Sequence, residues 1–219
     1  MANSTERLIE RLVAEAGPVR RLRPPAIRAG LWLTAAGAAI ALFVYVFADF
    51  GMFFRRASDA KLAIELIATL ITGIAATFAA FELSLPDRSA RWALLPLPPL
   101  AVWIGTSGYS CYRHWLSFGP GGWEIGESAN CFVFILSASI PLGVSILILL
   151  RRAAPLAPIP VAAASGLSVA AIAAFALQFF HPFDVTFMDL GVHVVAVTIV
   201  VFAMPALERL ATQRLPRQA

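Results

Sequence analysis

The sequence predicts an all-α fold: a polytopic membrane protein built as a six-transmembrane-helix bundle with a short cytoplasmic amphipathic N-terminal helix. Composition is the first ground. Of 219 residues, 59% are hydrophobic and 14% charged, where soluble domains average about 25% charged, and the mean hydropathy is +0.78. That balance excludes disordered, collagen-like, coiled-coil and small disulfide-stapled classes together. The second ground is the recurrence of apolar runs near the length of about 20 residues that a hydrocarbon core of about 30 Å demands. The third is charge placement. Basic residues crowd the ends of alternate runs, so the net charge of +4 reads as a membrane signature rather than as affinity for nucleic acid.

Residues 1–26 form a polar front segment. Asn3 or Ser4 supplies a helix cap, Glu6 stands where a capping-box acid reaches back, and Gly17 with Pro18 ends the element. Between these signals Leu8, Ile9, Leu12 and Val13 make one apolar stripe, ringed by Glu6, Arg7, Glu10, Arg11 and Glu15. A helix of about three turns is marginal alone in water, so the stripe requires a cover. The membrane surface, the chain's own loops and the groove of a partner protein are all open. Balanced charge signs weigh against headgroups, which favour an excess of Lys and Arg. The stretch from Pro18 to Pro25 is basic and held extended by its prolines, which also suits anchoring to anionic lipid.

Six apolar runs follow, at 27–50, 61–83, 92–109, 128–150, 161–180 and 186–207. Lipid cannot satisfy open backbone groups, so each is expected to be helical, within a transmembrane domain spanning 27–209 and ahead of a tail at 210–219. With the N-terminus inside, only Arg55, Arg56, Lys61 and Arg113 of the 17 Lys and Arg residues fall outside. The positive-inside rule then places both termini in the cytoplasm. Pro96, Pro98 and Pro99 should kink or interrupt the third run, and Pro141 and Pro205 should bend theirs more gently. Gly37 with Ala41 and Gly73 with Thr77 offer the small-residue spacing that lets helices approach closely.

On this topology the soft and titratable side chains gather at the outer ends. Cys111 ends the third run and Cys131 begins the fourth, with His114, Glu124 and Glu127 between them, and His181, Asp184, Asp189 and His193 lie around the last outer loop. A Cys111–Cys131 bridge is allowed if the Cα atoms approach to about 4.4–6.8 Å, and would stabilise by about 3 kcal/mol in the chain-entropy model. A reactive thiol pair is the companion reading, and two small buried apolar residues are the plainer alternative. Cys111, His114, Cys131, His181, Asp184 and His193 are also suitable ligand types for a soft metal, although no HxxxH or CxxC spacing supports a site. His193 and Asp189, four residues apart on one helical face, read as well as a hydrogen-bonded pair inside the bundle. Glu65 lies deep enough in the second run to need a buried partner. No nucleophile elbow, phosphate loop or carboxylate array is present, so neither an enzyme nor a cofactor is expected. From residues alone, a small-solute or metal transporter loading at the outer Cys/His cluster is the alternative, although the middle of the runs is mostly Ala, Leu, Ile and Phe.

The opening helix, the string Pro18-Val19-Arg20-Arg21-Leu22-Arg23-Pro24-Pro25, the six runs, and the strings Gly126-Glu127-Ser128-Ala129-Asn130-Cys131 and His181-Pro182-Phe183-Asp184 together resemble the NrsF family. That resemblance implies an integral membrane anti-sigma factor holding an extracytoplasmic-function (ECF) sigma factor at the inner membrane, with no direct contact to nucleic acid. It implies that residues 1–26 bind the sigma factor, through Leu8, Leu12, Arg20, Arg21, Leu22, Arg23, Pro24 and Pro25, and that oxidative or heavy-metal stress releases it. Redox or metal sensing would fall to Cys111, Cys131, His181, Asp184 and His193. The family pattern carries cysteines at the start of the fourth span and near the end of the fifth; Cys131 matches the first, and Phe179 and Phe180 occupy the second.

Overall fold

A computed structural model describes residues 4–15, 21–56, 59–119, 125–153, 155, 157–180 and 187–213. Among these residues the chain is all helical: α1 (Ser4–Glu15), α2 (Pro25–Phe47), α3 (Phe50–Arg56), α4 (Ala60–Leu83), a 3-10 turn (Ala90–Leu94), α5 (Leu97–Phe118), α6 (Ile125–Arg151), α7 (Pro158–Leu177) and α8 (Phe187–Gln213). Local chemistry fixes several boundaries. α2, α5 and α7 each carry proline in the first turn, where its missing N–H goes unneeded and its φ is already helical. Asp59 caps α4 by accepting the Lys61 N–H at 2.9 Å.

Among the described residues four helices are long and apolar enough to cross a membrane: α2, α4, α7 and the Asn130–Arg151 part of α6. This corrects the six expected from the sequence. The apolar stretch of α8 is confined to Val194–Leu207, and α5 mixes its apolar residues with Thr106, Ser107, Ser110 and Arg113. The third expected span is also displaced. Residues 92–94 belong to the 3-10 turn, the chain bends at Pro96, and the helix runs on to Phe118. Pro98 and Pro99 sit in the first turn of α5, so the three prolines begin the helix instead of kinking it. Cys111 therefore lies inside α5, not at its end.

The packing is inside out relative to a water-soluble bundle. α7 is buried on nearly all sides, and most of its inward residues are small, among them Ala162, Ala164, Ser165, Gly166, Ser168, Ala170, Ala171, Ala173 and Ala174, beside the larger Val161, Val169, Ile172 and Leu177. α4 and α8 pack most extensively against it, with α6 alongside. A Cβ at Gly73 on α4 would stand 2.8 Å from Ile172 Cγ1, and one at Gly166 would stand 2.7 Å from the Val201 Cα. These are backbone-close crossings of the small-residue type. Thr77, the other member of the Gly73 pair, meets Ser168 with 2.6 Å between hydroxyls. A Cβ at Gly37 would meet no other part of the protein within 4 Å. Large apolar side chains instead face outward, among them Ile67 and Ile71 on α4, Val102 and Ile104 on α5, Ile140 and Ile148 on α6, and Phe202 on α8. Such an apolar circumference is compatible with insertion into a membrane.

Candidate functional site

α1 buries none of its residues. Leu8, Ile9, Leu12 and Val13 each leave more than half of their surface exposed, and their i, i+1, i+4, i+5 spacing puts them on one stripe. The helix forms where the cap and stripe signals place it, yet the bundle does not cover it. Of the linker residues singled out in the sequence, Arg20 lies outside the described residues, while Arg21, Leu22, Arg23 and Pro24 are exposed and non-helical. Pro24 is extended, at φ −48° and ψ 141°, and Pro25 is buried as the first residue of α2. The segment thus splits at the Pro-Pro pair into an exposed arm and a fixed root.

The root is held by Arg28, which the sequence reading counted only among the basic residues, and by Trp32. Arg28, one turn into α2 and 7% exposed, donates from Nη2 to the Leu149 carbonyl of α6 at 2.6 Å. Its guanidinium also lies 5.1 Å from the centre of the Phe81 ring on α4, within cation–π range. A turn further along, Trp32 Nε1 donates to Ser145 Oγ at 2.9 Å. At the same end of α4, Glu82 pairs with Arg88 at 3.2 Å. The arm therefore emerges from a three-helix junction of α2, α4 and α6. The signal that identifies Arg28 is a charged residue one position inside an apolar run.

The candidate sensing residues are placed unevenly. Cys111 on α5 and Cys131 on α6 are buried thiols. Cys131 packs with Ile135, Ala173, Leu177 and Ala196, residues of α6, α7 and α8. His181 and Asp184 lie outside the described residues, and His193 falls on α8. Among the described residues no three His, Cys, Asp or Glu side chains gather as metal ligands would. Where the resemblance implies a second thiol, aromatic rings pack. Phe180 lies 5.3 Å from Phe134 and 5.5 Å from Phe43, and Phe179 stacks on Phe53 at 4.7 Å. Phe134 is one helical turn from Cys131 and packs against its cluster. Glu65, 7% exposed on α4, has the buried partner its depth demands: Ser107 Oγ of α5 donates to Oε1 at 2.5 Å.

An uncovered amphipathic helix, an exposed non-helical stretch at Arg21–Pro24 and a bundle with an apolar exterior define a membrane-compatible helical protein with an exposed front segment. The chain belongs to the NrsF family, whose model, described as negative regulator of sigma F, matches residues 12–215. Membership implies a negative regulator of a sigma factor, hence a sigma-factor partner. Leu12 opens the matched range and Leu8 precedes it. No curated protein and no solved structure matches the chain.

Proposed function

We propose that the chain is an inner-membrane anti-sigma factor that sequesters an ECF sigma factor through residues 1–26 and releases it on a periplasmic or membrane stress signal. The observation that carries this reading is the bare stripe of α1. Four apolar side chains at helical spacing stay exposed while every other long helix of the chain buries a face against a neighbour. A groove in a partner protein accepts such a stripe, with anchors at i, i+1, i+4 and i+5. The mixed charges around it, Glu6, Arg7, Glu10, Arg11 and Glu15, suit a protein surface better than anionic headgroups. Leu8 and Leu12 would supply the apolar anchors. Arg20, Arg21 and Arg23 would supply charge-assisted hydrogen bonds to acidic groups of the partner, Leu22 a further apolar contact, and Pro24 and Pro25 would keep the residues before them extended.

Capture would keep the sigma factor away from core RNA polymerase by mass action at the membrane, with both termini of the regulator in the cytoplasm. Release requires a two-state bias at the root rather than a wire along a helix. The junction of Arg28 with Leu149 couples the arm to α6, whose far half carries Cys131. A redox or metal event at Cys111, Cys131, His181, Asp184 or His193 would act by shifting α6 against α2. Co-expression with an ECF sigma factor from the same genome tests the partner claim. The sigma factor should co-purify with the wild-type membrane protein and be lost with Leu12→Asp. Sigma activity that stays repressed after deletion of residues 1–23 would refute the assignment.

A further inference from the structure

Between α2 and α6 runs a groove of about 770 Å³ lined by apolar side chains apart from Ser137 and Ser145. It opens outward, since Leu31, Ala35, Phe43 and Ile148 along it are exposed. α2 and α6 barely touch along this length, and the polar contacts of Arg28 and Trp32 hold them at one end. That end is strongly basic. Leu149 lines the groove, Arg151 and Arg152 follow it directly, and Arg152 is exposed and acts on Arg28 as a like charge. Arg28 Nη1 and Arg151 Nε are buried with no hydrogen-bond partner among the described residues. Buried donors in that state are unfavourable and call for an acceptor.

We infer that this groove is a phospholipid site, in which one lipid lays an acyl chain between α2 and α6 and sets its anionic headgroup against Arg28, Arg151 and Arg152. The inference rests on α2 and α6 crossing a bilayer, as proposed above. Guanidinium groups bind phosphate through paired N–H donors, and basic pockets between transmembrane helices are a recurrent form of headgroup site. A second copy of the chain is a poorer occupant, because a parallel helix would bring its own arginines to the arginine end. Occupancy would brace α2 against α6 at the root of the arm, making the grip of α1 sensitive to the anionic lipid around it.

Trp32 lines the groove and supplies the readout. The full chain is placed in phosphatidylcholine nanodiscs that contain a minor fraction of chain-brominated phosphatidylglycerol, or the same fraction of chain-brominated phosphatidylcholine. The part of the fluorescence quenching that disappears in Trp32→Phe belongs to the groove. It should be stronger with the brominated anionic lipid and should lose that preference in Arg151→Gln/Arg152→Gln. Native mass spectrometry gives a second measurement: phosphatidylglycerol retained by the wild type should be lost from the double variant. Inorganic phosphate should compete with neither signal, and displacement by it would overturn the lipid assignment in favour of a soluble anion. Equal quenching by both lipids, or a preference that survives the double substitution, would overturn the site alone. Absence of quenching by either lipid would overturn the membrane reading and the site with it.

Discussion

Arg28 of α2 and Leu149 of α6, 121 positions apart in the chain, are joined by a 2.6 Å hydrogen bond from guanidinium to backbone carbonyl. The acceptor lies near the C-terminal end of α6, where carbonyls lack an intrahelical partner and the helix dipole favours a cation. One side chain thereby satisfies a helix end, packs over Phe81 and fixes the first turn after the exposed arm.

Removing that contact should loosen the root. Hydrogen bonds to charged groups contribute about 1.5–3 kcal/mol, so Arg28→Ala is expected to lower the unfolding free energy in detergent by an amount in that range. Arg28→Lys should recover only part of it, because an ammonium lacks the planar two-sided geometry that meets a carbonyl and a ring face together. Unfolding midpoints of the three proteins check this. A wild-type midpoint for Arg28→Ala would show the contact to be incidental.

The glycines separate two kinds of position. At Gly166 a Cβ would lie 2.7 Å from the Val201 Cα and 3.2 Å from the Val200 carbonyl oxygen, and this backbone cannot rotate aside. Gly166→Ala should push α7 and α8 apart and destabilise by about 1–3 kcal/mol, the usual scale of overpacking. Gly37 faces open space, so Gly37→Ala should instead stabilise α2 by about 0.5–1 kcal/mol through helix propensity. Opposite signs in thermal denaturation are the expected result.

Burial of both thiols sets a labelling order. Cys111 is 0% and Cys131 5% exposed, and inert, slowly modified thiols are what buried surroundings produce. A water-soluble maleimide applied to intact membranes should label both sites slowly and should label them readily after denaturation. Phe180→Ala removes a ring 5.3 Å from Phe134 beside the Cys131 cluster. It should speed labelling of Cys131 more than that of Cys111. Rapid labelling of wild-type Cys131 would contradict the packing of α6 against α7 and α8.

Much of the bundle was legible because its signals are local. The 61–83 run differs from α4 by one residue, since Asp59 caps its start and charge and proline follow its end. The front helix was marked in the same way by Ser4, its stripe and Gly17. The third span was misplaced because Trp92 to Leu95 extends an apolar run, while the break at Pro96 divides it and the polar segment beyond Tyr109 stays helical. That shift carried Cys111 from a helix end into a helix. Arg28 was counted only as one of the inner basic residues and not seen as a clasp, because its partner is a backbone carbonyl on another helix and no side-chain pattern announces a carbonyl. The need of Glu65 for a partner followed from burial alone; the identity of that partner depended on the correct register of α5.

That register gives the last prediction. With α5 beginning at Leu97, Ser107 faces α4 and donates to Glu65 at 2.5 Å, both residues being buried. Ser107→Ala removes a donor from a buried carboxyl group, and a polar group left short of a partner costs about 1–3 kcal/mol. Glu65→Gln keeps an acceptor for the Ser107 hydroxyl and should cost less than Ser107→Ala. Glu65→Gln combined with Ser107→Ala should then cost less than the sum of the single changes, since residues sharing one hydrogen bond are coupled. Unfolding free energies of the single and double variants measure the coupling, and strict additivity would mean that α5 sits in a different register against α4.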